Sequence, residues 1–242
     1  MEYVSELGLD SGLTAAVGAG GKKSTLYTVG NELDRGVVTT AVRIPRFDEH
    51  VAELHETTDP VSTLESVEEW PVGLVPGFEE ARYLGYDLDT IEQIAASPIP
   101  EAVLVKADGA RNREFKAPGE DEPRIPPGAD RVLGLVSTHV VGKPLTEEYV
   151  HRPERVTELT GLERGETIGV EDVATVLASS EGTEKHVPES AEYVPVLNKV
   201  DDEDDRETAR AIADRVLEAS RAERVVLARL IDPAEPLVEI RR

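Results

Sequence analysis

The sequence predicts an α/β protein in which a mostly parallel sheet is flanked by helices on both faces, giving three layers. Short apolar runs rich in β-branched residues alternate along the chain with segments of helical periodicity. The first strand, helix and second strand follow one another closely, which implies a parallel pair with a right-handed crossover. We expect a single domain over residues 1–242, in which residues 111–130 could form a small insertion.

The turn after the first strand has the features of a phosphate-binding loop. Apolar residues 13–17 lead into Gly-Ala-Gly-Gly-Lys at 18–22, and a helix is predicted from Lys22. Glycines let backbone N–H groups approach an anion, the helix N-terminus favours negative charge, and a lysine there reaches the β- and γ-phosphates. The fold is therefore predicted to be P-loop NTPase-like. The predicted nucleotide-binding residues of the loop are Gly18, Ala19, Gly20, Gly21, Lys22, Lys23, Ser24 and Thr25.

The loop departs from the usual G-x-x-x-x-G-K-[ST] spacing. Ala16 stands where the first glycine belongs and Lys23 where the hydroxyl belongs, whereas a shorter G-x-x-G-K form fits residues 18–22. Ser24 or Thr25 is then expected to supply the hydroxyl that ligates Mg²⁺. The alternative is an ordinary glycine-rich turn without a ligand.

The composition excludes several functions. The 242-residue chain contains no cysteine, which rules out disulfides, thiolate metal sites and thiol catalysis. It carries 49 acids and 26 bases, a formal charge of −23, so we expect no binding to nucleic acid. The acids are spread along the whole chain, which suggests a halophilic source. No apolar run is long enough for a membrane span and no signal sequence is evident, so a cytoplasmic protein is expected.

Periodicity and turn residues place the remaining elements. Predicted strands cover residues 13–17, 37–42, 72–75, 102–105, 131–136, 194–197 and 224–228, and predicted helices cover residues 22–34, 88–96, 171–178 and a stretch that includes 209–217. Gly36 is expected to end the first helix as a C′ glycine. Ligands bind at the carboxyl ends of strands in such sheets, which brings Thr39, Thr40 and Arg43 to the predicted phosphate edge.

A second group of candidate residues follows the strand at 102–105. Asp108 comes at its end, and in P-loop proteins an aspartate at the tip of a neighbouring strand holds Mg²⁺. The alternative is a simple Asp-Gly turn, but no strand begins within the next few residues. A long polar loop follows instead, in which Arg111, Arg113 and Lys116 are predicted to clamp an anion.

Two later motifs complete the set of candidates. His151 is a candidate general acid or base and Arg152 a candidate phosphate ligand, although such a pair is more often structural or exposed. Asn198, Lys199 and Asp201 end an apolar strand as N-K-x-D. In GTPases this arrangement recognises guanine, because the aspartate pairs with the base while the lysine packs over its ring.

Together these motifs resemble the YqeC family, the accessory proteins of selenium-dependent molybdenum hydroxylases. The matching segments are Gly18-Ala19-Gly20-Gly21-Lys22, Val38-Thr39-Thr40, Lys106-Ala107-Asp108-Gly109-Ala110, Phe115-Lys116-Ala117-Pro118, Glu122-Pro123-Arg124-Ile125-Pro126, Val150-His151-Arg152-Pro153-Glu154 and Leu197-Asn198-Lys199-Val200-Asp201. They follow the family's order over nearly the whole chain. Two residues depart from the family's pattern: Lys23 replaces a threonine and Lys106 replaces a glutamate.

The resemblance implies a nucleotide-binding protein with a role in maturation of a selenium-dependent molybdenum hydroxylase cofactor. The first hypothesis is that it binds and hydrolyses GTP or ATP with Mg²⁺ in that role. Its partners would be a nucleotide and a molybdenum hydroxylase or its cofactor. The expected catalytic residues are Lys22, Asp108, Lys116, His151 and Arg152, the expected base-binding residues are Asn198, Lys199 and Asp201, and the expected metal ligands are Ser24, Thr25 and Asp108. Two alternatives stay open: an ATP-dependent ligase or phosphotransferase with a Mur-ligase-like loop, and a non-catalytic nucleotide-binding scaffold.

Overall fold

Strands and helices alternate along most of the chain in the computed structural model, which describes residues 2–230 and 236–242. The helices are α1 (Glu2–Glu6), α2 (Lys22–Gly30), α3 (Pro60–Leu64), α4 (Leu88–Ala96), α5 (Pro153–Thr160), α6 (Val170–Ala178) and α7 (Glu203–Ala219). The strands are β1 (Gly12–Gly18), β2 (Gly36–Thr40), β3 (Ile44–Pro45), β4 (Glu53–Glu56), β5 (Val72–Val75), β6 (Phe78–Glu79), β7 (Arg82–Tyr83), β8 (Ala102–Lys106), β9 (Phe115–Lys116), β10 (Arg131–Ser137), β11 (Val150–His151), β12 (Glu192–Asn198), β13 (Val225–Ala228) and β14 (Leu237–Arg241). Every strand and helix predicted from the sequence has a counterpart among them.

Nine of the described strands form one sheet, in the order β14-β13-β12-β10-β1-β8-β2-β5-β4. Every neighbouring pair in this sheet is parallel except β13 and β14. From β1 the chain passes to β2 on one side, and later to β10, β12 and β13 on the other. Such a reversal leaves a crevice at the carboxyl ends of the strands, where ligands bind in open α/β sheets. The structure therefore has a topological binding edge at the end of β1.

Helices cover both faces of the sheet and make three layers. Because the central strands are buried on both faces, adjacent residues of one strand enter different cores, as Val37 and Val38 do. The core that contains Val38 also contains Leu26 and Val29 of α2. The opposite face is covered by α3 to α7, for example through Ile91 of α4. The predicted three-layer α/β fold with a mostly parallel sheet is confirmed, and among the described residues no helix combines the length and apolar character of a membrane span.

The first helix is shorter than the sequence predicts. It ends at Gly30, and Asn31 caps it by donating from Nδ2 to a carbonyl oxygen of the preceding turn at 2.7 Å. Gly36 is not a C′ glycine but the first residue of β2. The prediction of a helix over residues 22–34 was wrong because Leu33 keeps the apolar spacing although it lies in the turn after the helix, where it is buried in the core.

The segment considered as an insertion, residues 111–130, is mostly irregular. Its short strand β9 pairs in parallel with β11, which places Lys116 beside His151. Phe115 and Ala117 are buried in the core that α6 and α7 share. The segment thereby places Lys116 next to β11.

Candidate functional site

The loop between β1 and α2 has a backbone that requires glycine. Gly18, Gly20 and Gly21 have φ angles of 90°, 76° and 141°, a region that L side chains rarely adopt. A Cβ on Gly18 would collide with the carbonyl oxygen of Leu135 in β10, and a Cβ on Gly21 would collide with Nδ2 of Asn198 at the end of β12. The loop is therefore fitted closely against the ends of two strands.

Replacing Gly18 by alanine is expected to lower the free energy of unfolding by about 2–5 kcal/mol, because the positive φ and the collision with β10 add. Gly142 is the matched control: it has a φ of 83°, but a Cβ added there would have no described atom within 4 Å apart from those of its chain neighbours. Gly142→Ala should cost only the backbone part, about 1–2 kcal/mol. Urea denaturation of both variants measures the difference, and equal losses would show that the close fit of the loop is absent.

Three amides of the loop donate within the protein. The N–H of Gly18 donates to Oδ2 of Asp108 at 2.9 Å, and those of Ala19 and Gly20 donate to carbonyl oxygens of β10 and of the loop after β8 at 2.8 and 3.0 Å. The N–H groups of residues 21–24 begin α2 and have no acceptor within the helix, since the first N–H groups of a helix lack one. An anion at this end of α2 would therefore be bound by residues 21–24.

The first side chains of α2 point in different directions. Lys22, Lys23 and Ser24 all line the cleft in front of the loop, but Lys22 is buried and its Nζ bonds back to the carbonyl oxygen of Gly18. Thr25 is buried, and its hydroxyl donates to the carbonyl oxygen of Gly21 at 3.1 Å. Of the two hydroxyls predicted to ligate Mg²⁺, that of Ser24 lines the cleft.

Asp108 lies at the centre of a buried group of charges. Its carboxylate lies 2.9 Å from Nζ of Lys22 and 2.9 Å from Nζ of Lys116. Lys116 also lies 2.8 Å from the carboxylate of Glu122, which accepts a hydrogen bond from Arg152 at 2.6 Å. We call these five residues the charge network. Because its three central members are almost fully buried, each depends on the others for neutralisation.

The charge network keeps Asp108 ionised. Burial alone raises the pKa of a carboxyl, but Lys116 and Lys22 outweigh that effect and lower the pKa of Asp108 to about 2. Burial lowers the pKa of Lys22 against the attraction of Asp108. Two ammonium groups and an amide lie against the carboxylate of Asp108, so its charge is neutralised within the protein. A role for Asp108 as a metal ligand stays a prediction.

Arg152 belongs to the network from the N-terminus of α5, and His151 of β11 lies beside it. Burial first, and then the charges of Arg152 and Lys116, lower the pKa of His151 to about 4. The imidazole is therefore neutral at pH 7. The structure brings four of the five predicted catalytic residues into one network and places the fifth, His151, beside it.

Asn198 of the N-K-x-D segment supports the loop. It is buried, its Nδ2 donates to the carbonyl oxygen of Gly20 at 2.8 Å, and its Oδ1 accepts from the amide of Leu230 at 3.1 Å. Both the nitrogen and the oxygen of this side-chain amide are therefore hydrogen-bonded within the protein. Asn198 therefore couples the loop to the ends of β12 and β13.

Lys199 and Asp201, the other two residues of this segment, lie in different environments. Lys199 lines the cleft and lies 2.7 Å from both carboxylate oxygens of Glu114. Asp201 is exposed. Its carboxylate lies 3.3 Å from Nε2 of His139, and the carboxylate of Asp205 lies 3.3 Å from the same nitrogen. Recognition of guanine by this segment stays a prediction.

A cleft of about 830 Å³ opens in front of the loop, at the carboxyl ends of β1, β8 and β2. Its described lining comprises residues 20–24, residues 109–114, Arg43, Pro45, Glu80, Arg82, Lys106 and Lys199. The lining thus comes from the loop and α2, the end of β8 and the segment after it, the chain after β2, the β6–β7 hairpin and the chain after β12. The predicted phosphate loop therefore opens onto a cavity of ligand size.

The hairpin that carries Arg82 is anchored to the core by Tyr83. This side chain is 1% exposed, packs edge-on against Phe47 at 5.5 Å between ring centroids, and donates to Asp48 at 2.6 Å. Arg43 forms ion pairs with the two carboxylates at the hairpin tip. These contacts hold Arg82 at the cleft.

The cleft is positively charged in a strongly negative protein. Eight of its lining residues are basic and two are acidic, whereas the chain as a whole has 26 bases and 49 acids. Both acids are paired: Glu80 with Arg43 at 3.0 Å and Glu114 with Lys199 at 2.7 Å. The cleft therefore favours an anionic ligand.

Several cations of the cleft have no carboxylate partner. Arg82, Arg111, Arg113 and Lys23 form no ion pair with any residue that the structure describes. Most other arginines of the described chain do form one. Unpaired cations are thus gathered at the cleft although carboxylates are abundant elsewhere.

Lys106 differs from these cations in being buried. It is 6% exposed, and its Nζ lies 3.4 Å from the carbonyl oxygen of Arg43. Burial first, and then the charge of Lys22, lower the pKa of Lys106 to about 7. The sequence identified Lys106 only as a departure from a family pattern, and the structure adds that it lines the cleft.

Sequence reasoning missed three further residues of the site. Glu122 joins Lys116 to Arg152, and its place in the family-matching segment 122–126 was an available signal. Glu114 and Arg82 gave no signal, because their partners or neighbours come from distant segments of the chain.

Comparison with known proteins places these residues in a family. The family model described as "YqeC protein" matches residues 14–154, more than half of the chain and the part that holds the loop and the charge network. An Escherichia coli (strain K12) protein described as "Uncharacterized protein YqeC" is 27% identical over 203 residues, which cover 76% of this chain and 75% of that protein. No solved structure matches the chain. The chain belongs to the YqeC family.

Proposed function

We propose that this protein binds GTP or ATP with Mg²⁺ in the cleft and acts as a nucleotide-dependent accessory protein in maturation of a selenium-dependent molybdenum hydroxylase cofactor. One observation carries the nucleotide part: the cleft in front of the glycine loop holds eight bases in a chain of formal charge −23. The accessory role rests on the motif resemblance given above.

The triphosphate would lie at the N-terminus of α2. The amides of residues 21–24 and the helix dipole favour negative charge there, and Lys23 and Arg113 supply unpaired cations. Lys22 is placed to exchange its ion pair with Asp108 for one with a phosphate oxygen. Mg²⁺ would bind together with the nucleotide and would neutralise part of the phosphate charge. Ser24 lines the cleft and offers a hydroxyl to the ion.

A second candidate function, nucleotide binding without hydrolysis, is favoured by the state of the carboxylates. Within the described lining, Glu80 and Glu114 are the acids, and each is paired with a cation. Asp108 is neutralised by two lysines. An unpaired carboxylate that could orient an attacking water is therefore lacking at the described cleft. Phosphate release in the presence of Mg²⁺ decides between the two candidates.

Nucleotide binding is expected to raise the unfolding temperature. A ligand at about 100 times its Kd stabilises the native state by about 2.7 kcal/mol, which for a chain of this size is about 5–10 °C. Thermal unfolding in multimolar KCl with Mg²⁺ compares no nucleotide, ATP and GTP. Lys22→Met should lose the shift relative to its own ligand-free sample, whereas Lys143→Met, at an exposed lysine outside the cleft, should keep it.

The comparison of nucleotides also tests the N-K-x-D prediction. A shift with GTP alone, abolished by Asp201→Asn, supports base recognition by this segment. A shift with ATP alone contradicts it. Absence of a shift with both nucleotides in a well-folded sample contradicts the proposed function.

A further inference from the structure

Lys106 is a buried cation that the described protein leaves unneutralised. Its Nζ has a carbonyl oxygen of Arg43 at 3.4 Å and no carboxylate within ion-pair distance among the described residues. The carboxylates of the charge network belong to other cations, since Asp108 and Glu122 already hold Lys22, Lys116 and Arg152. A charge that is buried without a partner is unfavourable unless a ligand completes it.

Lys106 lies one strand away from the phosphate loop. Lys106 ends β8, which lies between β1, the strand that leads into the loop, and β2. Neighbouring strands lie about 4.8 Å apart, so the cleft extends from the loop over the ends of two further strands. The part of the cleft over β8 and β2 thus has room for a group beyond an anion held at the start of α2.

Two of the three unpaired arginines in the described lining of the cleft are available beside Lys106, since Arg113 is assigned to the nucleotide. Arg82 comes from the β6–β7 hairpin, which is tied to Arg43 after β2, and Arg111 comes from the segment after β8. Arg111 and Asn112 have φ angles of 48° and 59°, so a tight left-handed turn presents this segment at the cleft. Guanidinium and ammonium groups are the side chains with which proteins bind phosphate and carboxylate.

We propose that the cleft contains a second anion subsite, formed by Lys106 with Arg82 and Arg111, which binds the phosphate or carboxylate group of a second small molecule beside the nucleotide. The inference rests on the proposed function in that the nucleotide takes the loop end of the cleft. The volume of about 830 Å³ lies toward the upper end of the range for small-molecule sites. A phosphotransferase or a ligase requires two ligands that are bound side by side.

Isothermal titration with inorganic pyrophosphate and with citrate tests the proposal. The titrations use the full-length wild type, Lys22→Met, Lys106→Gln and the matched control Lys143→Gln, in multimolar KCl. Wild type and control should bind two pyrophosphates. Lys22→Met should lose the loop site, and Lys106→Gln should bind the second anion about tenfold more weakly or worse. The tighter of pyrophosphate and citrate at the Lys106-dependent site identifies the charged group.

The same titrations after saturation with Mg²⁺ and nucleotide separate the two proposals. Wild type should then keep one pyrophosphate site, and that site should depend on Lys106. If nucleotide displaces neither pyrophosphate, the proposed function fails while the Lys106 site stands. A single anion site in free wild type, or equal affinity of the second site in wild type and Lys106→Gln, overturns the inference. Arg82→Gln, at an exposed position, should weaken the same site and keeps the test valid where Lys106→Gln folds poorly.

Discussion

Replacing Asp108 by asparagine is expected to lower the free energy of unfolding by about 3–5 kcal/mol, because it leaves buried Lys22 and Lys116 without their shared carboxylate. For a chain of this length that is a fall in unfolding temperature of about 10 °C. The matched control is Glu158→Gln in the exposed pair with Arg155, which should cost less than about 1 kcal/mol. Thermal or urea unfolding in multimolar KCl gives both values.

The pH dependence of the Asp108 effect has a definite sign. The pKa of Asp108 falls from 3.8 to about 2 on folding, so the folded state favours the charged carboxylate. Its contribution is complete above about pH 4 and is lost as the pH falls through about 2. The difference between wild type and Asp108→Asn should therefore narrow over that window. Equal stability of the two proteins at pH 7 would contradict the existence of the charge network.

Replacing Lys106 by methionine is expected to stabilise the protein. The pKa of Lys106 falls from 10.5 to about 7, because burial first and then Lys22 penalise the ammonium. The unfolded chain thus binds this proton more tightly than the folded one, so the penalty is complete below about pH 7, declines between pH 7 and 10.5, and vanishes above. At pH 7 we expect a gain of about 2–4 kcal/mol, which allows for partial hydration of the site.

The control for this prediction is the exposed Lys143. Lys143→Met should change stability by less than about 0.5 kcal/mol at any pH. The gain of Lys106→Met over wild type should shrink as the pH rises toward 10.5, which chemical denaturation at a series of pH values measures. A destabilised Lys106→Met, or a gain that does not depend on pH, would contradict the account of Lys106 as a buried and unneutralised cation.

These two predictions describe opposite uses of buried charge at one edge of the sheet. Asp108 is neutralised by its neighbours and stabilises the fold, whereas Lys106 is left unpaired and destabilises it. A destabilising residue that lines a cleft is expected where function needs it. A substitution that removes the charge of Lys106 should therefore raise the free energy of unfolding and also weaken binding of the second anion.

The fold was largely predictable because its central strands have a simple pattern. The strand at 102–105 is apolar throughout, as a strand buried on both faces must be, and β8 confirms it. Apart from β5, the short elements between residues 47 and 87 were not predictable. Their strands are two to four residues long, too short for periodicity, and the hairpin of β6 and β7 depends on Tyr83 packing against Phe47.

The candidate site was predictable only where its residues belong to local motifs. The loop at 18–25, Asp108 and Lys116 were found because each stands in a recognisable segment, and the structure brings them together. The partners were not found, because an ion pair such as Lys199 with Glu114 joins positions 85 residues apart. Asn198 was predicted to contact a base, and its bond to the Gly20 carbonyl depends on a fit between β12 and the loop that sequence spacing does not reveal.

Millisecond hydrogen–deuterium exchange in the presence and absence of Mg²⁺ with GTP or ATP tests the central claim most directly, because it locates the nucleotide. The amides of residues 21–24 lack helical acceptors and should exchange quickly in the free protein. The account predicts that nucleotide slows exchange in residues 21–24 and in the cleft segment 109–114, and that Lys22→Met removes this protection. Protection confined to other parts of the chain, or none at a saturating nucleotide concentration, would contradict it.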